Sequence, residues 1–328
     1  MPAAQNGDGR GEIAFVLFPK FSMIALFGAV EPLRVANRFA GPVFSWRFVS
    51  ADGLPVAASN EIPVTVTHRL ADIGRPDLAM FCASYEPEHA YTRSTVAQVR
   101  RLARQGIPLG GMDTGPFLLA EAGVLDGYRA TCHWESLPGF RETYPGIAVT
   151  HTLYEIDRDR MTCSGGAAAI DMMLDYIGRM HGPRLAITVA DQLVHFRQPA
   201  IVPEGRLPAR VRYQVSDSRL LTVLEAMERH IEDLVPLDEL AAMAGTSLRQ
   251  MERLFADLLG EAPNRFYRRL RLEHAENLLT YSRMSITDVA LACGFGGIAQ
   301  FSRAFREEYG HAPSAHRRVA SRPHSGQS

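Results

Sequence analysis

The chain has 328 residues, 46% hydrophobic and 22% charged, which is ordinary globular material and enough for about two cores. Its formal net charge of -1 gives no global steering toward an acidic or a basic partner. The four cysteines form no Cys-x-x-Cys pair, no apolar run reaches membrane length, and the N-terminus has no signal-peptide pattern. These exclusions predict a cytoplasmic chain with buried thiols, no membrane contact, no metal and no cofactor.

In chain order, residues 1–11 read as a disordered N-terminus. Ile13 to Phe18 is then a continuous apolar run ending at Pro19, the mark of a strand covered on both faces. Phe44 to Val49, Leu78 to Cys82 and Ile107 to Met112 read likewise. Helical stretches around Ala25 to Phe39, Tyr91 to Gln105 and Thr114 to Ala122 alternate with them, so residues 12–196 are predicted to form an α/β doubly wound, mainly parallel sheet. Leu153 to Ile156 and Arg160 to Cys163 read as a late strand pair, and Gly165 and Gly166 lead into a helix from Ala167 to Met180. Residues 197–215, with Pro199, Pro203, Gly205 and Pro208, read as a linker.

Ligands of open parallel sheets collect at the carboxyl ends of the strands. That rule selects Glu31 in the first helix, the loop from Cys82 to Glu86 with Tyr85, the turn Gly111-Met112-Asp113-Thr114-Gly115, and Cys132-His133-Trp134-Glu135.

Residues 216–318 hold an internal repeat. Gln250, Arg253, Phe255, Gly260, Ala262 and Pro263 return as Gln300, Arg303, Phe305, Gly310, Ala312 and Pro313. Each copy reads as a short helix, a glycine turn and a second helix. In the first copy, Leu237, Leu240, Ala241 and Ala244 precede Gly245, Ser247 is a predicted N-cap, and Met251, Leu254, Phe255 and Leu258 make the predicted buried face. In the second copy, Ile286, Val289, Ala290 and Cys293 precede the turn Gly294 to Gly297, and Phe301, Ala304, Phe305 and Tyr309 face inward. A helix from about Pro263 to Leu279 joins the copies, and its early arginines Arg265, Arg268, Arg269 and Arg271 suit phosphates. Two helix-turn-helix units joined in this way can read successive faces of a DNA major groove. Residues 319–328 read as a disordered tail.

From Val235 to Arg318 the chain resembles the double helix-turn-helix domain of AraC-family transcription regulators. The resemblance places base-reading positions on Arg249, Glu252 and Arg253 in the first unit, and on Ile298, Ala299, Gln300, Ser302 and Arg303 in the second. From about Glu12 to Phe196 the chain is similar to the DJ-1/PfpI branch of the class I glutamine amidotransferase-like fold. That similarity rests on Gly28 to Pro32, Asp113-Thr114-Gly115, Leu125-Asp126-Gly127, His133-Trp134 and Ser164-Gly165-Gly166. The combination resembles GlxA-type regulators, which implies a sensor followed by a DNA reader, with double-stranded promoter DNA, a small-molecule effector, RNA polymerase and a second copy of the chain as partners.

In the catalytic relatives a cysteine occupies the strand-to-helix elbow; here the matching residue is Asp113. The expectation is therefore a non-catalytic pocket, with Glu31, Tyr85, Asp113, Thr114, His133, Trp134 and Glu135 as effector-binding candidates. The carboxylates and aromatic rings suit the ammonium group of an amino acid or of a betaine-like or carnitine-like zwitterion. Two other roles fit Asp113: a structural cap at the helix N-terminus, and the nucleophile of an ester-forming enzyme that carries a DNA-binding domain.

Overall fold

The computed structural model describes residues 10–84, 91–196 and 208–320, in two compact units, Met1–Gly205 and Arg206–Ser328. Residues 1–9, 85–90, 197–207 and 321–328 lie outside the described residues. With them go the expectations for Tyr85, for both chain ends and for most of the linker.

The first unit is built on a seven-stranded sheet. Its strands are β1 (Gly11–Leu17), β2 (Phe44–Ser50), β3 (His68–Arg69), β4 (Leu78–Ala83), β5 (Leu109–Asp113), β6 (Tyr154–Asp157) and β7 (Arg160–Cys163). Their spatial order is β6, β7, β5, β4, β1, β2, β3, all parallel except β6, which runs antiparallel to β7. All residues of β4 and β5 are buried, as continuous apolar strands covered on both faces must be. Between the strands lie α1 (Met23–Ala40), α2 (Arg93–Arg104), α3 (Gly115–Glu121) and α4 (Leu137–Thr143); α5 (Ala168–His181) and α6 (Pro183–Gln192) follow β7. Helix α1 packs against α5, where Gly28 lets the backbones approach: a Cβ there would meet the Ile170 side chain at 3.3 Å. The sequence expectation did not contain β3, α4 or α6. Two or seven residues show no periodicity, and α6 starts at Pro183 directly after α5, so the pair reads as one stretch.

The second unit is helical: α7 (Ala209–Arg212), α8 (Ser218–Arg229), α9 (Leu237–Met243), α10 (Leu248–Leu259), α11 (Pro263–Tyr281), α12 (Ile286–Ala292), α13 (Ile298–Tyr309) and α14 (Pro313–Ala320). Two apolar cores share α11. Phe266, Tyr267 and Leu270 belong to one core with Leu224, Leu240, Met251 and Phe255. Leu272, Ala275, Leu278 and Leu279 belong to the other, with Val289, Phe301 and Phe305. One expected core residue is corrected: Leu258 is 48% exposed, and Leu259 packs at the edge of the first core in its place.

The expected linker is also too long. Residues 209–215 are folded into the helical unit, with Val215 in the first core. Arg212 makes a bidentate pair with Glu228 of α8 at 2.6 and 2.7 Å, and the Tyr213 hydroxyl donates to the same carboxylate at 2.6 Å. The prolines signalled a break, but the arginine and tyrosine beyond them find a half-buried acceptor that only the tertiary fold supplies. Glu228→Ala removes that acceptor and is expected to lower the unfolding free energy by about 3 kcal/mol in urea titration, as for other broken buried pairs; an unchanged midpoint would show that residues 209–215 do not belong to this unit.

Candidate effector pocket and nucleic-acid interface

Asp113 ends β5, and Thr114 leads directly into α3. Its φ of 62° is uncommon for a residue with a side chain, and it turns the carboxyl out of the strand at the sheet's carboxyl edge. The neighbouring backbone leaves it room only because residue 165 is glycine. Gly165 has φ +82°, and a Cβ there would stand 2.9 Å from the Asp113 Cβ. The Asp113 carbonyl accepts from the His133 amide at 3.0 Å, which fixes the segment from Cys132 to Glu135 against the elbow.

Asp113 is only 8% exposed. Burial raises its carboxyl pKa to about 7; a hydrogen bond from Ser84 opposes the shift and the nearby Glu135 charge adds to it. Burial keeps the neighbouring thiols protonated as well: Cys163 is pushed up to about 12 and Cys132 well above its ordinary value. His133 is held below its ordinary value by burial, against the pull of Glu135, whose carboxylate lies 3.8 Å from Nδ1. The rings of His133 and Trp134 are 5.5 Å apart. The elbow is thus a sparsely hydrated acid beside a neutral imidazole, an indole and a second carboxylate.

The structure brings Asp113, His133, Trp134 and Glu135 together and places Glu31 and Thr114 differently. Thr114 is buried and its hydroxyl donates to the Ser84 carbonyl. Glu31 pairs with Arg34 one turn along α1 at 2.6 Å, with its side chain 41% exposed; no contact with Asp113 is found among the described residues. Tyr85 lies outside them. Ser84 was not foreseen as a partner of Asp113. The signal was its place in the loop from Cys82 to Glu86, one residue beyond the end of β4.

In the helical unit, Ser247 caps α10 in a capping box with Gln250. Arg249, Glu252 and Arg253 are exposed on α10; Ile298, Ala299, Gln300 and Arg303 are exposed on α13, and Ser302 is half-buried. The repeated glutamines act on the turns that precede their helices: Gln250 Oε1 accepts from the Thr246 hydroxyl at 3.0 Å, and Gln300 Oε1 from the Gly296 amide at 3.1 Å. On α11, Arg265 is exposed and Arg268 forms an exposed pair with Glu307 at 2.5 Å. Two of the arginines expected at phosphates are corrected. Arg269 is held between Glu261 and Glu273, each at 2.8 Å. Arg271 donates to the carbonyls of Cys293 and Gly294 at 2.8 and 2.7 Å and lies over the Phe295 ring at 4.0 Å. Both are internal braces.

Two outcomes test this geometry. Below about pH 4 the Asp113 carboxyl is protonated in folded and unfolded chains alike. Between about 4 and 7 only the folded chain keeps the proton, so its favourable contribution fades as pH rises and is gone above about 7. The stability of Asp113→Asn relative to the parent is therefore expected to climb between about pH 4 and 7 and to level off above, and a difference independent of pH would refute the buried acid. Arg271→Lys keeps the charge but loses the fork and the stacking; urea titration is expected to show a loss of about 1–3 kcal/mol, and no loss would remove Arg271 as a brace of the second turn.

Residues 12–179 match the DJ-1/PfpI family, and residues 240–319 match a helix-turn-helix domain. Over 305 residues the chain is 45% identical to the HTH-type transcriptional regulator CdhR of Pseudomonas aeruginosa, covering 93% of this chain and 91% of that one. It is 35% identical to the HTH-type transcriptional regulator GlxA of Rhizobium meliloti, covering 97% and 99%. A crystal structure of an AraC family transcriptional regulator from Pseudomonas putida superposes with a TM-score of 0.51 at 27% identity, covering 56% of this chain and 98% of that one. Among the described residues no helix is long and apolar enough to cross a membrane. A DJ-1/PfpI sheet with an aspartate at its elbow, followed by two helix-turn-helix units on a shared helix, makes this chain a member of the GlxA-type AraC family of DNA-binding transcription regulators.

Proposed function

We propose that this regulator is a cytoplasmic transcription activator controlled by a small zwitterion, an amino acid or a betaine-like or carnitine-like compound, bound at the Asp113 elbow. The observation that carries the proposal is the carboxyl of Asp113, buried where the catalytic relatives hold a thiol. An isolated buried acid is unfavourable in its charged form, and a cationic group beside it reverses that. Glu135 adds negative charge, and Trp134 offers a ring face for an ammonium group. His133, kept neutral, can hydrogen-bond the ligand's carboxylate. Neither the Asp113 carboxyl nor the Cys132 and Cys163 thiols have the lowered pKa that activates a nucleophile, so binding is favoured over turnover.

The ligand acts by binding one arrangement of the chain more tightly than another, which shifts the population able to place both reading helices on promoter DNA and to contact RNA polymerase. Pairing of two copies would present four reading helices to paired half-sites and add avidity. Base reading falls to Arg249, Glu252 and Arg253 on α10 and to Ile298, Ala299, Ser302 and Arg303 on α13. Gln300 contributes through its amide nitrogen, and Arg265 and Arg268 supply backbone contacts.

A thermal-shift screen of the full chain against amino acids, polyamines, betaines and carnitine tests the pocket. One class is expected to raise the unfolding temperature with concentration, and Asp113→Asn or Trp134→Ala to abolish the shift. Because a cation favours the ionised carboxyl, affinity is expected to rise with pH through about 7 and to level off above it. No shift from any class, or affinity that falls with pH, sinks the cationic-ligand reading. For DNA, Arg253→Ala and Arg303→Ala are each expected to weaken binding to a duplex selected from a random pool by about tenfold or more; unchanged affinity in the double variant would show that other residues read the bases.

A further inference from the structure

Leu248 and Ile298 are the first residues of α10 and α13. Both are aliphatic, and they remain 38% and 46% exposed. They occupy the same place in the two copies, in the register that sets Gln250 on Gln300. The neighbouring exposed apolar residue of α10 does not recur: Leu258 corresponds to Glu308. Duplication of an exposed aliphatic residue at the start of both reading helices has no explanation in core packing, since neither residue belongs to an apolar core.

At 100° per residue, the first, second, fifth and sixth positions of a helix fall within one 140° arc. On α10 that arc holds Leu248, Arg249, Glu252 and Arg253; on α13 it holds Ile298, Ala299, Ser302 and Arg303. Each reading helix therefore carries an aliphatic residue at one margin of its outward face and an arginine at the other. Among base edges in the major groove, the apolar feature is the C5-methyl group of thymine, while arginine matches guanine.

We propose that Leu248 and Ile298 each pack against a thymine C5-methyl group, so that both units read a thymine by apolar contact beside the base read by Arg253 or Arg303. The inference rests on the DNA-reading assignment above and adds Leu248 to it. Burial of one methyl group corresponds to about a fourfold change in affinity.

The test uses the full chain and a duplex that it selects from a random pool. Each thymine of the selected site is replaced in turn by deoxyuridine, which removes the methyl group and keeps the Watson–Crick edge. Wild type is expected to lose about fourfold in affinity at two separate thymines of each half-site. Leu248→Ala is expected to lose the dependence at one of them and Ile298→Ala at the other, with helical content unchanged by circular dichroism. The wild-type scan is informative even where a variant fails to fold. Uniform tolerance of uracil overturns the proposal and leaves the two residues to a protein partner, and unaltered uracil sensitivity in both folded variants overturns it too. If no sequence is selected from the pool, the DNA-reading assignment falls and this inference falls with it; sequence selection without methyl dependence sinks the inference alone.

Discussion

The second reading helix depends on one guanidinium. Arg271 reaches from the helix common to both cores to two carbonyls at the end of α12, where the helix dipole gathers negative charge and the last carbonyls lack helical partners. Its planar fork takes both carbonyls at once while its face covers Phe295, a combination that an ammonium cannot reproduce. The turn so held is tight for a second reason. Gly294 has φ +67°, and a Cβ there would stand 2.8 Å from the carbonyls of Ile231 and Glu232 in the segment after α8. The two units are thereby braced in two ways, through the shared helix and through this turn.

The elbow of the sheet unit places a buried carboxyl at the turn between β5 and α3. Its backbone sets a side-chain-bearing residue at positive φ with glycine opposite. Burial and the nearby Glu135 charge disfavour the ionised Asp113 carboxyl, and the hydrogen bond from Ser84 offsets only part of that.

Much of the fold was legible in the sequence because its signals are local. Continuous apolar runs marked β1, β2, β4 and β5, and the repeat marked both helix-turn-helix units because Gln250 and Gln300, Phe255 and Phe305, and Gly260 and Gly310 act on caps, cores and helix ends within their own copy. What escaped was whatever a distant partner decides. Arg265, Arg268, Arg269 and Arg271 are alike in sequence, yet Glu307, Glu261 with Glu273, and the Cys293 and Gly294 carbonyls distribute them between surface and interior. Arg212 and Tyr213 read as linker because Glu228, their acceptor, lies on another helix. At the elbow, Asp113, His133 and Glu135 come together as the sequence suggested, whereas Glu31 is turned to Arg34 and Thr114 to Ser84.

The shared helix also acts as a ruler. Leu270 closes the first core and Leu272 opens the second, with a single residue, Arg271, between them. Because α11 is continuous, one residue added there would turn everything beyond it by about 100° and shift it by about 1.5 Å along the axis. The outward face of α13 would then point in a different direction relative to that of α10. Loops elsewhere in the chain can lengthen at little cost, but the count of residues in α11 fixes the angle and the distance between the two helix-turn-helix units.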